Sequence, residues 1–186
     1  DAQKPENSMA AFRAALEAGL GIELDLHLMK DGNLGVIHDS NLTRVANADV
    51  RIEDLTVSEL SNYKLSETEE TIPLFDDVLA LFDGKAPLIV ELKVVDGNYD
   101  ALCRAAVGKL DRYPGLYCLE SFDPRVIRWL KVNRPDLCRG QLGNDVIADG
   151  INKREFYVDQ LNKIKELVKK VHSGELTNAA GETFTT

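Results

Sequence analysis

The chain has 186 residues, 44% of them hydrophobic, with 31 acidic against 22 basic side chains and a formal charge of -9. That size and apolar share suit one ordinary domain with a real core, while the acidic balance disfavours electrostatic binding to nucleic acid or to an anionic membrane surface. No apolar run approaches the roughly 20 residues needed to cross a bilayer. The opening DAQKPENS does not read as a signal peptide, and Cys103, Cys118 and Cys138 are too scattered for a disulfide framework or a zinc site. A reducing, cytoplasmic setting is therefore the expectation, which a leader ahead of Asp1 would change. Nothing in the composition sets an oligomeric state.

Residues 1–7 read as a loop, because Pro5 disfavours helix before it and Glu6-Asn7-Ser8 offers capping side chains. Met9, Phe12 and Leu16, with alanines between them, then predict a helix ending at Gly19. Residues 21–28 follow as a strand. In it Glu23, Asp25 and His27 alternate, so the two carboxylates share one face while Ile22, Leu24 and Leu26 take the other. Carboxylates aimed together repel unless a cation lies between them, and hard oxygen ligands at this spacing suit Mg²⁺ or Ca²⁺.

The turn Lys30-Asp31-Gly32-Asn33 predicts a hairpin or other tight connection, and the run from Leu34 to Ile37 delivers His38 at its end. Thr56, with Glu59 three residues on, is expected to cap a short helix through Val57, Leu60 and Tyr63. Pro73 is expected to open another, with Leu74, Val78, Leu81 and Phe82 as its buried stripe and Gly84 as its stop. Residues 87–93, PLIVELK, read as a parallel strand buried on both faces, with Glu91 and Lys93 at its C-terminal end. A helix through Leu102, Ala106 and Leu110 precedes a strand over 116–122. Asp123-Pro124 then starts a helix with Val126, Ile127 and Leu130 inward, and Cys138 to Leu142 makes one more short strand. Strands alternating with helices predict an α/β protein with a parallel sheet.

The stretches PENSMAAFRAALEAG, GIELDLHLMKDG, VIHDSNLTR, IPLFDDVLAL, LIVELK and ESFDPRVIRWLKVNRPD, in that order, resemble the glycerophosphodiester phosphodiesterase family over roughly Lys4 to Gly143. The resemblance implies a TIM (β/α)8 barrel that holds one divalent cation, Mg²⁺ or Ca²⁺, and cleaves small-molecule glycerophosphodiesters to sn-glycerol 3-phosphate and an alcohol. By that likeness Glu23, Asp25 and Glu91 match the metal ligands and Lys93 the phosphate-contacting lysine. His38, at a strand end and followed by Asp39, matches one of the two histidines that move protons, as a neutral imidazole can near cellular pH. Glu6 and Asn7 match a motif bracing the first loop and the metal shell by hydrogen bonds. His27 is expected behind the ligands rather than in the chemistry, and Phe122, in Ser121-Phe122-Asp123, is expected to line the substrate pocket. His172 falls outside the matched motifs and is expected to be solvated.

Two departures qualify the likeness. In the family the first barrel strand ends in His-Arg-Gly ahead of the Pro-Glu-Asn motif, so that strand and the second histidine are expected upstream of Asp1 rather than lost. Beyond Gly143 the family's later motifs do not appear, and a composition shift near residues 144–152 predicts a boundary: residues 1–150 as a partial barrel, residues 151–186 as an amphipathic helix and polar tail. That last stretch carries Lys153, Arg154, Lys163, Lys165, Lys169 and Lys170 against Glu155, Asp159 and Glu166, a local charge of +3. An inactive partial barrel that binds phosphodiesters or a partner protein is the alternative to an enzyme.

Overall fold

The computed structural model describes residues 4–143. The compact unit they form ends at Leu142, and the boundary, helix and tail expected after residue 143, with His172, lie outside the described residues.

The first helix, α1 (Met9–Glu17), starts where Ser8 stops extended backbone and its hydroxyl accepts from the Ala11 amide. It ends before Gly19, whose φ of +70° is open to glycine at little cost. The chain then enters β1 (Ile22–Leu28) beside Pro87, whose carbonyl accepts from the Ile22 amide at 3.2 Å. A Cβ on Gly21 would sit 2.6 Å from that same carbonyl oxygen, so glycine is required for the strand to lie this close to its neighbour. The Lys30–Asn33 turn does produce a hairpin: β2 (Leu34–Val36) runs antiparallel to β1, with Leu26 opposite Val36 and Leu28 opposite Leu34.

From β2 the chain makes a long excursion, through the short helix α2 (Thr43–Ala46) and 3-10 turns at Ile52–Asp54 and Val57–Asn62, before α3 (Phe75–Phe82). Its apolar residues Ile37, Leu42, Val45, Ile52, Leu55, Leu60, Leu65 and Ile72 close over Met29 in a satellite core. The segment expected from Thr56 is a 3-10 turn rather than an α-helix. Its start is tied as predicted, the Glu59 carboxylate accepting from the Thr56 amide at 2.8 Å and from its hydroxyl at 2.7 Å. The helix expected from Pro73 starts two residues later, because the Pro73 carbonyl accepts from the Val36 amide and Leu74 bridges to Gly35, holding both residues extended against β2. Phe75, not Leu74, is the fully buried residue at its start, and Leu81 is only half-buried.

Three further strands complete the sheet: β3 (Leu88–Leu92), β4 (Tyr117–Ser121) and β5 (Arg139–Gln141), joined by α4 (Tyr99–Leu110) and α5 (Pro124–Asn133). The order is β2-β1-β3-β4-β5, and β1, β3, β4 and β5 are parallel. One face carries Leu24, Leu26, Leu88, Val90, Leu92 and Leu119 into the main core, which also holds Phe12, Phe75, Val78, Phe82, Leu102, Leu110, Val126 and Leu130 from the helices. This is α/β barrel architecture, to which the described residues contribute a five-stranded sheet.

The other face does not match the expectation for 87–93. Ile89 is 42% exposed, so β3 is covered by helices on one side only, and its second face belongs to the polar series described below. A near-continuous apolar run is the same string whether one or both faces are covered.

Phe75 fills the centre of the main core with no exposed surface. Phe75→Ala is expected to lower stability by about 3–5 kcal/mol, read from the midpoint of urea unfolding; a loss below about 1 kcal/mol would contradict the packing described.

Candidate active site

Parallel pairing of β1 with β3 sets Asp25 directly beside Glu91, and pairing of β3 with β4 sets Glu91 beside Glu120. Glu23 lies one pleat earlier on the same face. One carboxylate oxygen from each of Glu23, Asp25 and Glu91 lies within 4.8 Å of the other two. Oxygens ligating one hard cation at about 2.0–2.6 Å stand no more than about 4–5 Å apart, so the donor set fits Mg²⁺ or Ca²⁺ in both chemistry and spread.

Asp25 and Glu91 are buried, which for carboxylates is costly without a counter-charge. The counter-charge is Lys93, just past β3: its Nζ is 3.0 Å from Asp25 Oδ1 and 2.9 Å from Glu91 Oε2. Burial alone would lower the Lys93 ammonium, but its bonds to Glu91 and Asp25 outweigh that and hold it above the ordinary lysine range. Burial lifts the Glu91 carboxyl, with Asp25 adding to the rise and Lys93 opposing it. Asn7 completes the Asp25 shell, donating from Nδ2 to Oδ2 at 2.8 Å. It does so from a left-handed backbone, φ +50°, a conformation asparagine tolerates better than most side chains.

Glu23 is the open member of the three. Partial desolvation on the sheet face, followed by the charges of Asp25, Glu91 and Glu120, pushes its carboxyl up to about 7, with Lys93 opposing. Glu120 is shifted upward as well, first by burial and then by Glu91 and Asp25.

His38 lies just past β2, with about half of its side chain exposed. Its Nδ1 is 2.6 Å from Asp39 Oδ1. A carboxylate oxygen can only accept, so Nδ1 donates and Nε2 is left for the cleft. Arg44 secures this pair, Nε donating to Asp39 Oδ2 at 2.5 Å while the guanidinium also pairs with Glu6. Arg44 and then His38 hold the Asp39 carboxyl down at about 2. A cleft of about 580 Å³ takes in Glu6, Asn7, Glu23, Asp25, His38 and Arg44. A second, of about 480 Å³, takes in His27, Glu91, Lys93 and Phe122, which is 48% exposed. His27 itself is buried, its Nδ1 2.6 Å from Glu53 Oε1 and its Nε2 3.2 Å from the His38 carbonyl oxygen.

The sequence profile of the Glycerophosphoryl diester phosphodiesterase family matches residues 1–148. The chain belongs to that family. It is 38% identical over 119 residues to a glycerophosphodiester phosphodiesterase of Bacillus altitudinis, a match covering 60% of this chain and 44% of that one. The chain thus spans under half the length of this relative, and likewise 40% of a Caldanaerobacter subterraneus homologue. Among solved structures, it resembles a Thermotoga maritima glycerophosphodiester phosphodiesterase at 28% identity and a TM-score of 0.66, over 85% of this chain and 63% of the other. A phosphodiesterase of Oleispira antarctica, solved with sn-glycerol-3-phosphate, shares the fold at TM-score 0.73 and 23% identity, over 86% of this chain and 68% of the other.

Of the family-matched positions, Glu6, Asn7, Glu23, Asp25 and His38 line one cleft, and His27, Glu91, Lys93 and Phe122 line the other. Asp25 and Lys93 join the two sets through their ion pair. Sequence reasoning passed over Arg44, Glu53 and Glu120. Arg44 stands at the end of the VIHDSNLTR motif, and Glu120 follows the alternation of β4, so both had a local signal. Glu53 had none, because only the folded excursion brings it under β1.

Glu23 binds its proton more tightly in the folded protein, at about 7, than at its ordinary value of 4.5. The folded state therefore holds more protons between those values, and metal-free stability declines as pH rises from about 4.5 to 7. In EDTA, melting temperatures across that range are expected to fall less steeply for Glu23→Gln than for the parent. Parallel slopes would remove Glu23 as the cause.

Proposed function

We propose that the chain supplies the metal-binding and phosphate-binding part of a glycerophosphodiester phosphodiesterase, which hydrolyses glycerophosphodiesters to sn-glycerol 3-phosphate and an alcohol. The observation that carries this reading is the convergence of Glu23, Asp25 and Glu91 within 4.8 Å, with His38 lining the same cleft as Glu23 and Asp25. The family membership and the product named in the Oleispira antarctica complex support the substrate class.

In this reading Glu23, Asp25 and Glu91 hold one Mg²⁺ or Ca²⁺, and the cation supplies Lewis-acid polarisation of a phosphoryl oxygen. Every other contribution comes from the chain itself. Asn7 holds Asp25 by its Oδ2, which leaves Oδ1 to Lys93. Lys93, already ionised beside two carboxylates, offsets negative charge that builds on the phosphoryl oxygens. His38 transfers a proton through Nε2, its orientation set by the Asp39 carboxylate on Nδ1 and, behind that, by Arg44 and Glu6. Phe122 offers an apolar wall beside Lys93 to the esterified alcohol. Two proton transfers are needed, one at the nucleophile and one at the leaving oxygen, and His38 accounts for one of them.

Release of glycerol 3-phosphate from glycerophosphocholine tests the reading. Turnover is expected to disappear in EDTA, return with Mg²⁺ or Ca²⁺, and fall by about 10²–10⁴-fold in His38→Ala. Turnover that survives both EDTA and His38→Ala would refute it.

A further inference from the structure

Among the described residues the His38 imidazole has one polar partner, Asp39, which is its own chain neighbour. That contact, tied through Arg44 to Glu6, orients the ring, but where the imidazole enters the cleft also depends on the backbone that carries it. That backbone is residues 37–40, which main-chain bonds hold at Ile37 and Ser40 and which one side-chain carboxylate supports between them. Glu53 Oε2 accepts from the Ser40 hydroxyl at 2.6 Å. Glu53 Oε1 lies 2.6 Å from His27 Nδ1, and the opposite nitrogen of that ring lies 3.2 Å from the His38 carbonyl oxygen; both oxygens only accept, so the ring bridges them by donating from both nitrogens. One side chain thus grips both ends of the His38–Ser40 tripeptide, directly at Ser40 and through a buried imidazole at His38.

The base of this grip is itself fixed. Glu53 sits on the 3-10 turn Ile52–Asp54, and Ile52 is fully buried in the satellite core. The Ile52 amide donates to the Ser40 carbonyl at 2.9 Å, and the Ile37 amide to the Asp25 carbonyl at 3.1 Å, so the segment is pinned on either side of His38. The His27 ring projects from β1 itself and is buried, 2% exposed. Burial would raise the Glu53 carboxyl, but its bonds from His27 and Ser40 prevail and keep it ionised, as a two-armed acceptor should be.

We propose that Glu53 is a positioning residue: it clamps the His38–Ser40 segment through His27 and Ser40 and thereby sets the His38 imidazole against the carboxylates of Asp25 and Glu23. The assignment rests on the function proposed above for what the imidazole does, and on geometry alone for the clamp. Removing the clamp leaves the phosphate-binding groups on β1 and β3 in place, so substrate binding persists while proton transfer is misaligned.

The test compares Glu53→Leu, which keeps bulk but removes both oxygens, with Glu53→Gln, which keeps two polar atoms, and with Ser40→Ala, which removes one arm. In Glu53→Leu, kcat on glycerophosphocholine is expected to fall about 10–100-fold while KM stays within about twofold, as a displaced proton-transfer group would produce. Glu53→Gln is expected to rescue most of kcat, and Ser40→Ala to lie between. Native-state amide exchange is read in parallel at Ile37 and Ile52, which are expected to exchange faster in Glu53→Leu while Leu24 and Val90 in the β1–β3 ladder do not. Unchanged kcat in Glu53→Leu, or a rise in KM that matches the loss in kcat, would overturn the proposal. If the full-length protein with metal shows no turnover at all, the proposed function fails, and the exchange data decide the clamp: faster exchange at Ile37 and Ile52 upholds it, unchanged exchange overturns it. Should Glu53→Leu not fold, Ser40→Ala with the same readouts carries the decision.

Discussion

The site depends on one electrostatic constraint, the side-by-side burial of Asp25 and Glu91 on adjacent parallel strands. Strands in a sheet lie about 4.8 Å apart, so residues in register on one face are forced together whatever their charge. Two carboxylates so placed are tolerable only if something positive lies between them. Here the Lys93 ammonium does, within 3.0 Å of both. The same pairing that would destabilise an ordinary sheet becomes a preformed cage of hard oxygens once Glu23 adds a third carboxylate from the same strand face.

The remainder of the fold keeps this constraint sustainable. Leu24, Leu26, Val90 and Leu92 alternate with the acids and bury themselves under the helices, so the strands carry a hydrophobic face that offsets the cost of the polar one. The close approach at Gly21 brings β1 against the start of β3 and sets their register, which in turn decides that Asp25 meets Glu91 rather than Leu92. A slip of one residue would have exchanged the two faces.

The long excursion between β2 and α3 serves the other half of the site. Its satellite core contributes no ligand, but it carries Arg44 and Glu53 to either side of His38. Arg44 acts on the imidazole through Asp39, and Glu53 acts on the backbone through His27 and Ser40. The buried polar groups form a network in which each partner is accounted for, and among the described residues no buried side-chain polar atom lacks a hydrogen bond. Such networks hold geometry more strictly than they add stability.

Local pattern was enough to place most elements and most candidate side chains. The period of two in GIELDLHL put Glu23 and Asp25 on one face, the capping residues Ser8 and Asp123 marked helix starts, and the ordered motifs identified Glu91, Lys93 and His38. Periodicity and capping are properties of consecutive residues, so a string suffices to read them. What covers a strand is not such a property, and so PLIVELK misled about Ile89. Partners far apart in the chain were equally out of reach. That Lys93 bridges Asp25 and Glu91, that Asn7 orients Asp25 and that Glu53 reaches His27 follow from strand register and from the packing of an irregular excursion, which long-range contacts decide. The amino-acid sequence determined which groups are candidates for the site; the tertiary structure alone decided which of them touch, because distance across a sheet depends on register and packing rather than on separation along the chain.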